Sequence, residues 1–199
     1  MIRALTPTDL PRVAAIHSAA FPTSALTRLG ADTLVRYYDW LLTGPHQADC
    51  LGFELKGDLA GYCFSGLFRG AMSGFIRQNR AHLIGRVLLR PWLLVGFSER
   101  LRTGARIAAR TAHTPPPADP IPPGRPYVVL AIAVDPAAQG NGVGGQLMAE
   151  AERRARTGEF AAMRLSVRVE NTGAVRFYER LGWQRVGEQW HGRMIKRLG

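Results

Sequence analysis

Residues 127–156 read YVVLAIAVDPAAQGNGVGGQLMAEAERRAR, and this stretch decides the fold. Tyr127 to Val134 is a continuous apolar run of strand length that ends at Asp135-Pro136. The glycine-rich QGNGVGG that follows opens a helix running to about Arg156, where Gly158 stops it. Strand, glycine loop and helix in that order form an anion site. Gly140, Gly142, Gly144 and Gly145 let the backbone turn tightly, successive N–H groups converge, and the helix N-terminus adds its partial positive charge. A pyrophosphate fits there; the plainer alternative is a glycine-rich turn with no ligand. Gly140, Gly142 and Gly145 also spell G-x-G-x-x-G, the mark of a dinucleotide-binding fold. That fold needs several more strand-helix units. Only 54 residues remain, they end in an antiparallel hairpin, and Glu170, the one candidate ribose ligand, lies immediately before a helix cap.

Toward the C-terminus, Met163 to Val169 is the next strand, and Asn171 caps a helix that Gly182 ends. Trp183 to Trp190 and Arg193 to Lys196 then make a closing hairpin around His191-Gly192. Toward the N-terminus, Met1 to Leu5 is a short strand, and Thr8 or Asp9 caps a helix with Leu10, Val13, Ala14, His17 and Phe21 on one face. A second helix is expected from about Ala31 to Leu42, with Leu34, Tyr37, Tyr38 and Leu41 as its apolar side and Gly44-Pro45 as its stop. Leu51 to Lys56 and Leu59 to Phe68 form a hairpin about Gly57-Asp58, which puts Leu51, Phe53, Leu55, Ala60, Tyr62 and Phe64 on one face. That register sets Cys63 opposite Gly52 and Cys50 opposite Ser65. The two cysteines then do not meet, and two buried, reduced thiols are expected, since no Cys-x-x-Cys or Cys-x-x-His accompanies them.

At 199 residues and 46% hydrophobic content the chain has the length and composition of one globular domain. No apolar stretch approaches the ~20 residues that span a bilayer, and Met1 to Leu10 lacks the layout of a signal peptide, so a cytoplasmic protein is expected. Twenty-four arginines and two lysines against 15 acids give a net charge of +11, which points to an anionic partner. Residues 69–113 hold nine arginines against Glu99, so this segment carries +8 of that charge. Its apolar density, broken at Pro91, predicts two short amphipathic helices, and the TPPPADPIPPGRP of 114–126 predicts an extended linker. Three readings of the basic segment stand. It is a helical pair packed on the domain or in a homodimer interface, a lid or anionic membrane-surface element, or a nucleic-acid contact, the last with no recognisable motif behind it.

Leu130 to Gly144 (LAIAVDPAAQGNGVG) resembles the acyl-CoA motif of the GNAT superfamily of N-acetyltransferases, with Gln139, Gly142 and Gly144 at its defining positions. A second family motif, Asn followed seven residues on by Tyr and then by an aromatic after Gly, is met by Asn171, Tyr178, Gly182 and Trp183. The segment RLSVRVENTGAVRFYERLGW is most similar to the ribosomal-protein N-terminal acetyltransferase branch. The resemblance covers Tyr127 to Leu198 closely and Met1 to Phe68 by element order, with the basic segment lying between the third and fourth strands, outside it.

The resemblance implies an α/β fold with a mixed, mostly antiparallel twisted sheet flanked by helices, whose fourth and fifth strands splay to hold CoA. It implies acetyl-CoA as donor substrate and no metal. The pantetheine arm would pair with the backbone of Ile132, Ala133 and Val134, and the N–H of Val134 would stabilise the thioester oxyanion. The loop Gln139, Gly140, Asn141, Gly142, Val143, Gly144 would hold the pyrophosphate, with Asn171 contacting the cofactor from its cap. Tyr178 would donate a proton to the departing thiolate; its alternative role is packing one helix face with Ala174, Phe177 and Leu181. Ser166 stands where the ribosomal-protein branch has Glu, so no general base is named, and His17, Asp32 and Glu54 are the candidates from the N-terminal half. The acceptor would lie near Phe21 to Thr27, Tyr37, Tyr38 and the Trp190-His191 turn. Stretches resembling AAFPTSALTRLG and RYYDWLLTGP occur in GNAT-like proteins of polysaccharide or natural-product pathways. A small-molecule amine, such as an amino sugar, is therefore the expected acceptor. A peptide N-terminus and a non-catalytic acyl-CoA-binding module are the alternatives.

Overall fold

The computed structural model describes residues 1–88, 125–187 and 190–199. The described chain runs β1 (Ile2–Ala4), α1 (Leu10–Ala20), α2 (Ala25–Leu29), α3 (Ala31–Thr43), β2 (Gln47–Leu55), β3 (Asp58–Leu67), α4 (Ala71–Gln78) and α5 (Arg80–Leu88). It continues with β4 (Tyr127–Val134), α6 (Val143–Thr157), β5 (Ala162–Ser166), α7 (Thr172–Arg180), β6 (Gln184–Arg185) and β7 (Arg193–Arg197). The strands form one sheet in the order β1-β2-β3-β4-β5-β7-β6, antiparallel throughout except for the parallel β4–β5 pair. This is the expected mixed α/β architecture, with one five-residue helix, α2, that the sequence reading did not include. The linker 114–124 and everything expected about Pro91 lie outside the described residues.

The β2–β3 hairpin departs from the expected register. The turn is Lys56-Gly57, not Gly57-Asp58, because both residues take positive φ (54° and 90°), the pair of left-handed residues whose twist matches a two-residue hairpin. Cys63 therefore faces Leu51 and Cys50 faces Phe64, with a further irregularity between Phe53 and Glu54. A one-residue shift exchanges the faces of a strand. Leu51, Phe53 and Cys63 point to the side of α6, whereas Cys50, Leu59, Tyr62 and Phe64 point to the side of α1 and α3. The hairpin is thus buried on both faces, and the two free, buried cysteines sit on opposite sides of the sheet. Burial pushes both thiols up to about 12.

Helix α6 buries Val143, Leu147, Met148, Ala151 and Ala155, a stripe at one-, three- and four-residue steps, against one face of the sheet. Leu147 is fully buried, which contributes about 2 kcal/mol. On the other face α1 and α3 pack Val13, Ile16, Leu34, Tyr38 and Leu41 onto β3. The basic segment begins as two helices that break at Asn79, twelve residues before Pro91. Asn79 turns out of helical geometry, and its side-chain amide donates to the Phe75 carbonyl, so a local bond competes with the helix. Helix α4 is held by Phe75 in the core and by Trp40 Nε1 donating to the Ala71 carbonyl at 3.0 Å. Helix α5 is held by Arg86 Nε donating to the Leu29 carbonyl at 2.8 Å and by the His82–Thr33 hydrogen bond at 2.9 Å.

Under α1 lies a buried polar cluster. His17 Nδ1 is 2.7 Å from the Tyr38 hydroxyl and 3.3 Å from that of Tyr62, the two hydroxyls are 2.6 Å apart, and His17 Nε2 is 3.0 Å from Ser24 Oγ. Every polar atom named has a partner, so the cluster locks α1, α3 and β3 at one geometry. Burial lowers the His17 pKa from 6.5 to about 4, so the folded ring is neutral at neutral pH. The unfolded chain then binds one more proton than the folded chain between those two values. Stability from this source is complete above about pH 6.5 and is lost as pH falls toward 4, by on the order of 2–3 kcal/mol. Urea unfolding at pH 7 and at pH 4.5 should show a smaller change in midpoint for His17→Gln than for the native chain. Equal changes would show that His17 does not carry this dependence.

Candidate active site

Three pairs join β4 to β5: Tyr127 with Met163, Val128 with Arg164, and Val129 with Leu165. There the ladder stops. Against β3 the register of β4 shifts at the same point, since Phe64 pairs with Ala131 and Ser65 with Val129, which leaves Leu130 as an extra, bulged residue. A bulge bends the strand that carries it, and β4 leaves β5 from this residue onward.

The hydrogen-bond alternation of an antiparallel pair then fixes which way each peptide faces. Asp135 N donates to the Ala60 carbonyl, so Ala133 and Ala131 turn their backbone groups toward β3. Ile132 and Val134 turn theirs toward the gap that β5 has vacated. The Val134 carbonyl is met there by Gln139 Nε2 at 3.5 Å. Ala133 lines the gap, but its own backbone is committed to Tyr62, so the expected backbone role falls to its two neighbours.

The gap is the floor of a cleft of about 600 Å³. One wall is the loop after β4. Asp135 begins it, held by Arg12 at 2.6 Å and accepting from the Ala137 N–H, and a 3₁₀ turn follows at Pro136–Ala138. Gly140 and Gly142 take φ of +83° and +73°, which an L side chain adopts only under strain. Gly142 is also the N-cap of α6 and offers no side-chain cap, so the first N–H groups of that helix remain open to an incoming acceptor. A Cβ at Gly140 or Gly145 would meet nothing within 4 Å, whereas one at Gly144 would meet Phe177 at 3.4 Å and narrow the passage to α7. Open space in front of convergent N–H groups fits a pyrophosphate in size and charge.

The opposite wall is α7. Asn171 caps it by accepting from the Ala174 N–H at 3.1 Å, and Gly173, Phe177 and Tyr178 line the cleft. Tyr178 is 9% exposed, packs edge-on against Phe177 and Trp183, and has no hydrogen-bond partner for its hydroxyl among the described residues. Burial raises its pKa well above the usual phenol value, so the hydroxyl keeps its proton.

Ten of the eleven residues expected at the site line this cleft; Asn141 does not, and its side chain instead ties the loop by donating to the Ala138 and Gln139 carbonyls. The sequence reading missed Arg180, the one charged residue of the lining. Its signal was present, because Gly173, Phe177 and Arg180 are spaced i, i+4, i+7 and share a helix face.

The three candidate bases lie elsewhere. Glu54 pairs with Arg3 at 2.6 Å at the far edge of the sheet, Asp32 lies beside Arg36 and His82, and His17 is in the buried cluster behind Phe21. Ser166 is exposed at the end of β5 and does not line the cleft. Of the expected acceptor residues, Phe21 lines the cleft with Ala20, Tyr37 and Tyr38 are core, and the Trp190 indole is folded onto its own hairpin by donating to the Arg193 carbonyl. Arg168 reaches Thr23 at 3.4 Å, joining the segment after β5 to the α1–α2 loop.

N-alpha-acetyltransferase RimI of Mycobacterium tuberculosis is 44% identical over 61 residues, 31% of this chain and 37% of that protein. The uncharacterized protein ML0378 of Mycobacterium leprae is 35% identical over 112 residues, 49% of this chain and 28% of that protein. The chain thus spans well under half the length of the curated relatives it matches. The crystal structure of PaiA N-acetyltransferase from Thermoplasma acidophilum in complex with coenzyme A superposes with a TM-score of 0.60 at 12% identity, covering 99% of this chain and 98% of that one. At that identity the likeness speaks for the fold. The family model described as the acetyltransferase (GNAT) family matches residues 10–183, most of the chain, from the first turn of α1 through the aromatic that follows Gly182, and so the chain belongs to the acetyltransferase (GNAT) family.

Proposed function

We propose that the protein is an acetyl-CoA-dependent N-acetyltransferase that acts on a primary amine of a small molecule by direct attack within a ternary complex. The observation that carries this reading is the backbone edge of Ile132 and Val134 that β5 leaves unpaired, which opens into the same cleft as the glycine loop and Tyr178. The edge suits the amides of a pantetheine arm, which would complete the ladder that β5 leaves unfinished. The N–H groups from Gln139 to Gly144 suit its pyrophosphate, and Arg180 adds the positive charge that a phosphate-bearing donor calls for.

Acetyl-CoA supplies an activated thioester carbonyl. The chain's own share is to hold that carbonyl beside the Val134 N–H, where negative charge on its oxygen is stabilised as the amine attacks; donors of this kind are worth ~3 kcal/mol. Tyr178, kept protonated by burial, donates to the departing sulfur. Among the described residues, none that lines the cleft is a carboxylate or imidazole. The acceptor therefore enters as the free amine and loses its proton to water at the open mouth, and the rate should rise with pH through the acceptor's own pKa. The Arg168–Thr23 contact between the two loops favours a compact acceptor over an extended chain. The second reading, acetylation of a peptide N-terminus, is favoured by the identity to RimI.

Thiol release from acetyl-CoA should be measured against free amino sugars, nucleotide-linked amino sugars, polyamines, aminoglycosides and peptides with free N-termini. Turnover with one of the small amines is expected; turnover with peptides alone would establish the second reading, and binding of acetyl-CoA without turnover on any amine would leave a binding module. Tyr178→Phe should keep acetyl-CoA affinity and lower kcat roughly ten- to a hundredfold, and an unchanged kcat would remove the residue from the mechanism. Arg180→Ala should raise KM for acetyl-CoA by about tenfold with kcat near native; a fall in kcat at constant KM would mean that Arg180 acts on the reaction and not on donor binding.

A further inference from the structure

Among the described residues six large hydrophobic side chains are exposed, and four of them lie on α4 and α5: Met72, Ile76, Ile84 and Leu88, at 47%, 49%, 50% and 75%. Asn79 N donates to the Phe75 carbonyl and Leu83 N to the Asn79 carbonyl, so the hydrogen bonding of α4 runs through the break into α5. Each four-residue step turns about 40° beyond a full turn, so Ile76, Arg80, Ile84 and Leu88 fan over one solvent-facing arc, with Met72 at its edge and Arg77 beside Ile76. Phe75 and Leu83 of the same helices pack on the core. Arg77 and Arg80 are exposed, and residues 69–88 hold four arginines and no acid. Among the described residues, the acid paired with α5 is Asp32 of α3, which lies 3.5 Å from both Arg36 and His82.

We propose that this face docks on a membrane surface of anionic lipid, with Met72, Ile76, Ile84 and Leu88 entering the boundary between headgroups and acyl chains and Arg77 and Arg80 meeting the headgroup phosphates. A shallow arc of single apolar side chains flanked by arginine has the pattern of a helix that lies in the interface plane. Charge decides against a second copy of the chain as occupant. A two-fold contact brings the same patch from both partners together, and here it would set arginine against arginine with no acid from these helices between them. Among the described residues no helix is long and apolar enough to cross a membrane. The docking face is fixed to the catalytic layer, because α5 is bonded to α2 and α3 and α2 follows directly from the loop that begins at Phe21 of the cleft.

The test is flotation of the full chain with vesicles of phosphatidylcholine alone and with about one quarter phosphatidylglycerol, at about 0.1 M salt and at higher salt. Binding to the anionic vesicles is expected, at least about tenfold weaker without phosphatidylglycerol and weaker again at high salt. Ile76→Asp combined with Ile84→Asp should lower binding by about tenfold or more while acetyl-CoA affinity is unchanged, since both side chains are outside the core. Arg77→Gln with Arg80→Gln should reduce the preference for anionic vesicles. Vesicle binding that the aspartate pair leaves intact would overturn the proposal. So would absence of binding to either vesicle, or a dimer that the aspartate pair dissociates in a chain that ignores vesicles, which would give the face to a second copy.

Discussion

The end of the β4–β5 ladder at Val129–Leu165 is the constraint from which the site follows. A parallel pair that continued to Val134 would close the cleft and satisfy its own backbone. The bulge at Leu130 bends β4 away instead, and two peptide groups, at Ile132 and Val134, are left facing a gap. An unpaired backbone group sealed from water costs about 1–3 kcal/mol. The cleft is open, so these groups are not sealed from water, and the Val134 carbonyl is also met by Gln139. The paired end of the V is correspondingly braced: the Tyr127 hydroxyl donates to Asp49 at 2.6 Å, and Arg154 of α6 reaches the other oxygen of the same carboxylate at 2.6 Å. One end of the strand pair is tied so that the other can stay apart.

The loop and the helix that wall the cleft depend on the same arrangement. Helix α6 can point its N-terminus at the gap because its apolar stripe is seated on the face of β2 and β3 that carries Leu51, Phe53 and Cys63. That face is chosen by the Lys56-Gly57 turn. A slip of one residue would offer α6 the side chains of Tyr62 and Phe64 and would break the His17 cluster on the opposite face. A two-residue turn far from the cleft thus governs where the glycine loop and the N-terminus of α6 point.

Much of this was legible before any coordinates. The apolar run, the glycine loop and the Asn171–Tyr178 spacing lie in continuous stretches whose local chemistry decides their shape, and they stand where those stretches predict. What escaped depended on contacts between distant segments or on rare backbone states. The hairpin register was misread because Gly57-Asp58 is the commoner turn pair, and a positive φ at Lys56 leaves no trace in composition. The His17 cluster was invisible because Tyr38 and Tyr62 count as apolar in a periodicity reading, while their hydroxyls meet only after α3 packs on β3. Arg180 escaped because the apolar face of α7, which Ala174, Phe177, Tyr178 and Leu181 share, is the one that periodicity marks, and a charged residue at its edge reads as solvated.

The double-sided burial of the β2–β3 hairpin has a practical corollary in its sulfur chemistry. Cys50 and Cys63 are one strand apart in the sheet yet separated by its full thickness of side chains, so they cannot form a disulfide while the sheet is intact. With both thiols protonated to about pH 12, alkylating reagents and oxidants find almost no thiolate to attack. Each sulfur reports on a different layer, one beneath α6 and one beneath α3. The chain therefore carries two native probes whose rates of modification time the opening of the two halves of its core independently.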